Sequence, residues 1–248
     1  MSSENNSLKQ IMAYRLEKLG KIKNAGINPF PYKYSASHKI SKILSGQKKL
    51  LCEHVSICGR IISFRKMGKA SFIHIQDESG KLQAYTKNDI LPDGIYDNIV
   101  RNLDLGDILG ISGKLFITKM GELTIKADGL EILAKNMRPL PNLKEKDGET
   151  FNAFEDKELR YRHRHLDLIA NPEVINIFKD RARIISALRS ELDSKEYIEV
   201  ETPVLQNIYG GASARPFTTF HNTLDQKLYL RIADELYLKR LIIGGFTK

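Results

Sequence analysis

The sequence predicts an α+β protein in three parts: an amino-terminal helical arm, a five-stranded β-barrel, and a third part that mixes helices and strands. Two observations carry that prediction. Apolar residues recur at helical spacing before residue 50, alternate with a period of two between about 53 and 134, and return to helical spacing after 171. Charge divides the chain in the same way. Residues 1–50 carry ten Lys or Arg against two acids, a net of +8, whereas 51–140 carry twelve against eleven and 141–248 seventeen against seventeen.

In the arm, Ser7 is expected to cap a helix with Leu8, Met12, Leu16 and Leu19 along its apolar side and Ile11 and Ile22 beside them, stopping at Gly26 before Asn28-Pro29. Lys9, Arg15, Lys18, Lys21 and Lys23 fall on the other face. They make either a solvated charged surface or a set of phosphate contacts, which would be salt-sensitive.

Val55, Ile57 and Ile61 alternate in a first strand that Gly59 is expected to bend or bulge. Ala70 to Gln76 forms a second, and Asp77-Glu78-Ser79-Gly80 turns into a third, Lys81 to Thr86. A short helix over 95–103 precedes two more, Asp107 to Thr118 and Glu122 to Leu133, paired across Lys119-Met120-Gly121. Five strands with a helix between the third and fourth are the layout of an OB-fold.

Parity selects one surface of that barrel. If Ile73 and Ile75 face the core, then Phe72, His74 and Gln76 face outward, as do Gln83 and Tyr85 on the third strand. An aromatic beside an amide on these two strands suits stacking and edge-reading of a single-stranded base. The other arrangement consistent with parity packs Phe72 beneath the amino-terminal helix.

Pro139 to Glu158 reads as a linker punctuated by Pro139, Pro141 and Gly148. Beyond the basic run Leu159 to His165, Asn171-Pro172-Glu173 starts a helix that extends to about Lys195. Its stripe comprises Val174, Ile177, Phe178, the stem of Arg181, Ile184, Ile185, Leu188 and Leu192. A strand-like Ile198 to Glu201 then breaks at Thr202-Pro203. A Gly210-Gly211 turn follows, then a strand ending in Arg231 and a helix beginning at Asp234.

Composition excludes several classes. Hydrophobic residues at 42% and charged residues at 28% are ordinary for a globular chain. No run of about 18 apolar residues predicts a membrane span, so no membrane partner is expected. The polar first ten residues predict no signal peptide. Cys52 and Cys58 have no partners at zinc spacing, and His163 and His165 lack acidic or cysteine partners, so no metal site is expected and a reduced, cytoplasmic setting is.

Six separated segments, in order, carry a resemblance: GRIISFRKMGKASFIHIQD, DLGDILGISGKLFITKMGELTI, LRYRHRHLDLI, IEVETPVL, GGASARPF and LRIADELYLKRLIIGGF. From near residue 8 to its last residue the chain resembles the class II lysyl-tRNA synthetases, or lysine tRNA ligases. The resemblance implies a basic helical arm over 1–50, an anticodon-binding OB-fold over 51–138, a linker over 139–158 and a partial catalytic domain over 159–248. In the family the barrel binds the uridine-rich anticodon of tRNA; Phe72 matches its stacking aromatic, and Arg65, Gln83 and Glu122 its base-contacting residues. Phe72 is then exposed.

Ile198 to Leu205 matches the first class II signature motif, which with its preceding helix builds a homodimer; Glu199, Glu201 and Pro203 fall within it. Glu235 matches the lysine-binding glutamate and Gly211 the glycine whose backbone lines the pocket, where a substrate with an ammonium at each end calls for carboxylates and carbonyls. Arg215 and Arg231 read as structural ion-pair partners. The chain departs from the family at Asp234 and Tyr209, which are usually prolines, and at His165, usually a tyrosine.

The family joins lysine to ATP as lysyl-adenylate, releasing pyrophosphate, and passes the lysyl group to tRNA with the help of Mg2+. The arginines and acidic ligands that serve ATP and Mg2+ belong to motifs beyond Gly244-Gly245-Phe246-Thr247-Lys248. No catalytic or metal-binding residue is therefore expected within these 248 residues, nor turnover from them alone. The alternative is a stand-alone module that binds the anticodon arm. An aspartate or asparagine ligase shares the barrel but suits Glu235 and the LRIADELYLKR segment poorly.

Overall fold

A computed structural model of the chain describes residues 2–141, 143–146, 149–152 and 154–248. The chain folds as two compact units, residues 1–166 and 167–248.

The first unit opens with α1 (Ser2–Asn24). It begins ahead of Ser7, so Ser7 is an interior helical residue and not its cap. The buried face is also rotated from the one expected. Leu19 and Ile22 are buried together with Arg15 and Lys18, while Met12 and Leu16 are exposed. Two cations lie on the packed face because their heads meet acceptors. Arg15 donates to the carbonyls of Asn136 (2.9 Å) and Leu105 (3.2 Å), and Lys18 pairs with Asp104 at 2.6 Å. Buried Lys135 then joins Asp104 (2.5 Å) to Asp107 (2.8 Å). Burial pushes the Asp107 carboxyl up. At Asp104 burial acts the same way, but Lys135 and Lys18 outweigh it and the carboxyl sits below its ordinary value. A buried charge is tolerated when it is paired in this way.

Two short helices, α2 (Ile40–Ser45) and α3 (Gln47–Leu50), lead into the barrel. Its strands are β1 (His54–Met67), β2 (Ala70–Gln76) and β3 (Lys81–Lys87), then, after helix α4 (Ile95–Asn98), β4 (Ile108–Ile117) and β5 (Leu123–Ala134). They close in the order β1-β2-β3-β5-β4, with β3 and β5 parallel. This is the five-stranded barrel expected from the change of period. Alternation fills it: Val55, Ile57, Ile61, Ile73, Ile75, Leu82, Ala84, Ile111, Leu115 and Ile125 are all buried.

β1 is long enough to pair with both β2 and β4, and its register slips between Ile61 and Ser63. The bulge is there and not at Gly59. Gly59 answers a different need, because a Cβ on it would stand 2.7 Å from the Gln76 carbonyl oxygen.

The stretch read as a linker carries an antiparallel ribbon, β6 (Leu143–Lys146) with β7 (Glu149–Asn152), then α5 (Lys157–Arg162), capped by the Asp156 carboxylate on the Leu159 N–H at 2.7 Å. Gly148, assigned to that linker, lies outside the described residues. Proline and glycine punctuate a tight ribbon as readily as a linker, and the division between units falls after Leu166. Helix α6 (Arg164–Ala170) spans that division.

The second unit contains α7 (Val174–Ser194), a three-stranded sheet and α8 (Glu235–Ile243). The sheet comprises β8 (Leu205–Gln206), β9 (Thr218–His221) and β10 (Gln226–Leu230), in the order β8-β10-β9. Ile198 to Glu201, expected as a strand, has no ladder partner among the described residues and is in no regular element. A strand is defined by its pairing, and apolar-acidic alternation alone cannot supply a neighbour.

Candidate functional site

Strand register assembles one surface on the first unit. Arg65 lies opposite Phe72, Phe72 opposite Tyr85, and Tyr85 opposite Lys126 on the parallel strand. Phe72 and Tyr85 are partly exposed and their ring centroids are 5.0 Å apart; Arg65 and Lys126 are exposed. The polar anchors of α1 are at Asp104, Leu105 and Asn136, whereas the ring beside Phe72 is that of Tyr85. Two aromatic rings between two cations are chemically suited to stacking on bases and pairing with phosphates.

The next row holds the polar residues. His74 lies opposite Gln83, and Gln83 opposite Thr124. Thr124 Oγ1 donates to Gln83 Oε1 at 2.9 Å, which orients the amide so that Gln83 Nε2 donates to Glu122 Oε2 at 2.5 Å. His74 Nε2 stands 2.9 Å from Glu122 Oε1. Gln83 and Glu122, two of the three residues expected to contact bases, are therefore in direct contact. Arg65 and Phe72 flank one another a row away. Sequence reasoning placed His74 and Tyr85 on this face but assigned them no role. The signal was present in the parity, since both sit two residues from a named position, one on β2 and one on β3.

On the second unit Gly211 and Glu235 are brought together. A Cβ on Gly211 would lie 3.0 Å from Glu235 Cβ and 3.1 Å from its Oε2, and Gly211 has φ +85°. The other carboxylate oxygen, Oε1, pairs with Lys239 at 2.5 Å. An acidic group one oxygen of which already holds an ammonium is chemically suited to hold an amine.

The departures nearby are accommodated. Asp234 accepts from Thr202 Oγ1 (2.8 Å) and pairs with Arg231 (2.9 Å), both through Oδ1, so that oxygen is already engaged. Arg231 also donates to the Thr202 carbonyl at 2.8 Å, the structural role expected of it. Tyr209 packs on Tyr229 with centroids 4.9 Å apart.

Of the three residues assigned to the dimer motif, Glu199 is held by Arg189 of α7 through contacts of 3.0–3.1 Å that lower its pKa. Glu201 lines a recess of about 300 Å3 with Thr202, Arg231 and Asp234. Pro203 is exposed beside it. Along α7 the apolar stripe faces solvent, with Ile177 68%, Ile184 62% and Leu188 60% exposed. Among the described residues no three His, Cys, Asp or Glu side chains are grouped to hold a metal ion, and no helix is long and apolar enough to cross a membrane.

Two family descriptions match. Residues 55–133 match an OB-fold nucleic acid binding domain, and 156–248 match the class II tRNA synthetases (D, K and N). The chain is similar to a lysine–tRNA ligase of Carboxydothermus hydrogenoformans, 48% identical over 99% of this chain and 49% of that protein. It is 47% identical to one of Pelotomaculum thermopropionicum, over 100% of this chain and 47% of the relative. One of Porphyromonas gingivalis is 47% identical over 94% and 42%. The chain spans about half the length of the curated relatives it matches.

Proposed function

The chain belongs to the lysine–tRNA ligases of the class II synthetases, and from that membership we propose that it serves ATP-dependent attachment of lysine to tRNA, with its barrel reading the anticodon. The observation that carries this reading is the outer face of β1, β2, β3 and β5. Exposed cations Arg65 and Lys126 bracket the Phe72–Tyr85 pair, and Gln83 and Glu122 form a hydrogen-bonded unit beside it. Phe72 stacks on a base; Arg65, Gln83 and Glu122 contact base edges; the tRNA is a lysine acceptor.

In the second unit Glu235 holds an ammonium of lysine, and Gly211 lets the chain approach it without a side chain in the way. Class II synthetases as a group use ATP and Mg2+. The described residues supply no grouped ligands for a metal. The exposed stripe of α7 and the segment holding Glu199, Glu201 and Pro203 form the contact of a homodimer, and the setting is cytoplasmic.

Phe72→Ala is the direct test. Binding of the full chain to the anticodon stem-loop of a lysine-accepting tRNA, at fixed salt, should weaken by roughly 1–3 kcal/mol, the worth of one base–aromatic stack. Unchanged affinity would remove the anticodon assignment.

A further inference from the structure

We propose that His74 is a positioning residue for base discrimination: its hydrogen bond to Glu122 holds that carboxylate as a fixed acceptor, favouring uracil over cytosine. The inference rests on the barrel face being the anticodon site.

A carboxylate can only accept, so the 2.9 Å contact from His74 Nε2 to Glu122 Oε1 assigns the ring proton to Nε2. Gln83 Nε2 lies 3.4 Å from His74 Nε2, and both are then donors converging on one carboxylate, one on each oxygen. Gln83 is itself oriented by Thr124, which is buried. The Glu122 side chain is 48% exposed, so two donors hold it while it remains accessible, and each carboxylate oxygen has further acceptor capacity.

Such a group meets the pairing edges of the two pyrimidines in opposite ways. Uracil presents N3–H, which the carboxylate can accept. Cytosine presents a lone pair at N3, which faces the carboxylate unpaired. A site that hydrogen-bonds one substrate group rejects the analogue lacking it, because its own polar atom is then left unsatisfied. Discrimination of this kind depends on the acceptor staying put. With His74 removed, Glu122 keeps one donor and can turn toward the amino group of cytosine.

The test uses the full chain with anticodon stem-loops carrying UUU and the single U→C variants, by fluorescence anisotropy at fixed salt. At the position read by Glu122, His74→Ala should reduce the U:C affinity ratio about fivefold to tenfold, the scale of one hydrogen bond. Affinity for the UUU loop itself should change less. His74→Gln, whose amide N–H can replace the ring donor, should restore most of the ratio.

An unchanged ratio in His74→Ala overturns the proposal, as does a loss of affinity that is equal for U and C in both variants, which is what a purely structural role produces. If Phe72→Ala also leaves every affinity unchanged, the anticodon reading has failed. If Phe72→Ala weakens binding while the His74 variants keep their ratio, only the role given to His74 has.

Discussion

A methyl group on Gly211 would stand 3.0 Å from Glu235 Cβ, on backbone already at φ +85°. Gly245 has φ +107° with nothing near it, so an alanine there meets only backbone strain. Each substitution should destabilise the second unit by more than about 1 kcal/mol through its positive φ. Gly211→Ala should cost more, read as a lower urea midpoint, because it also displaces Glu235. Equal losses would mean that the carboxylate does not press on the glycine. The pairing of these two residues was not visible in the chain order, where 24 positions separate them; only the resemblance joined them. Alternation with Ile73 and Ile75 put Phe72 on the outer face of the barrel, and the resemblance chose exposure over packing beneath the amino-terminal helix.

Among the elements, the turn between β2 and β3 holds α2 in place. The Asp77 carboxylate accepts from the Ile40 N–H at 2.9 Å and from Ser79 and Gly80 in its own turn, and Ser79 Oγ accepts from the Ser41 N–H. Burial raises the Asp77 carboxyl, but these hydrogen bonds outweigh it and hold it below the usual aspartate range. A folded value below the unfolded one, about 3.9, contributes stability that is complete above that pH and is lost as pH falls through the folded value. Asp77→Ala should therefore cost about 1–2 kcal/mol at neutral pH, the scale of a lost helix cap, and should lose less further stability than the parent on acidification. Urea unfolding at neutral and acid pH measures both.

The five strands were legible because alternation records the face each turns to the core; Gln83 and Thr124, on the opposite face, are buried as well, which alternation could not show. The arm was legible as a helix but not in its facing. Arg15 and Lys18 are buried through ion pairs and carbonyls on other segments, and helical periodicity carries no information about those partners. Ile198 to Glu201 failed for the same reason, since its alternation finds no ladder partner among the described residues.

At the scale of the whole molecule, the basic arm accounts for nearly all of the net charge of +9, yet Arg15 and Lys18 are spent on internal contacts and Lys21 pairs with Glu17. The charge balance pointed to a polyanion, and these three cations of the arm are already engaged by groups of the chain itself. Association between copies is a separate matter. The solvent-facing stripe of α7 is apolar over several turns, and covering it stabilises by burial. Leu188→Glu should shift a dimer toward monomer in sedimentation velocity, whereas an unchanged distribution would place the dimer contact elsewhere.

Amide chemical-shift mapping decides whether the outer face of β1, β2, β3 and β5 reads the anticodon. A UUU anticodon stem-loop titrated into the nitrogen-15-labelled chain should perturb Arg65, Phe72, Gln83, Tyr85 and Glu122 and their strand neighbours. Perturbation confined to Lys9, Lys21 and Lys23 on α1, with the barrel face silent, would contradict it.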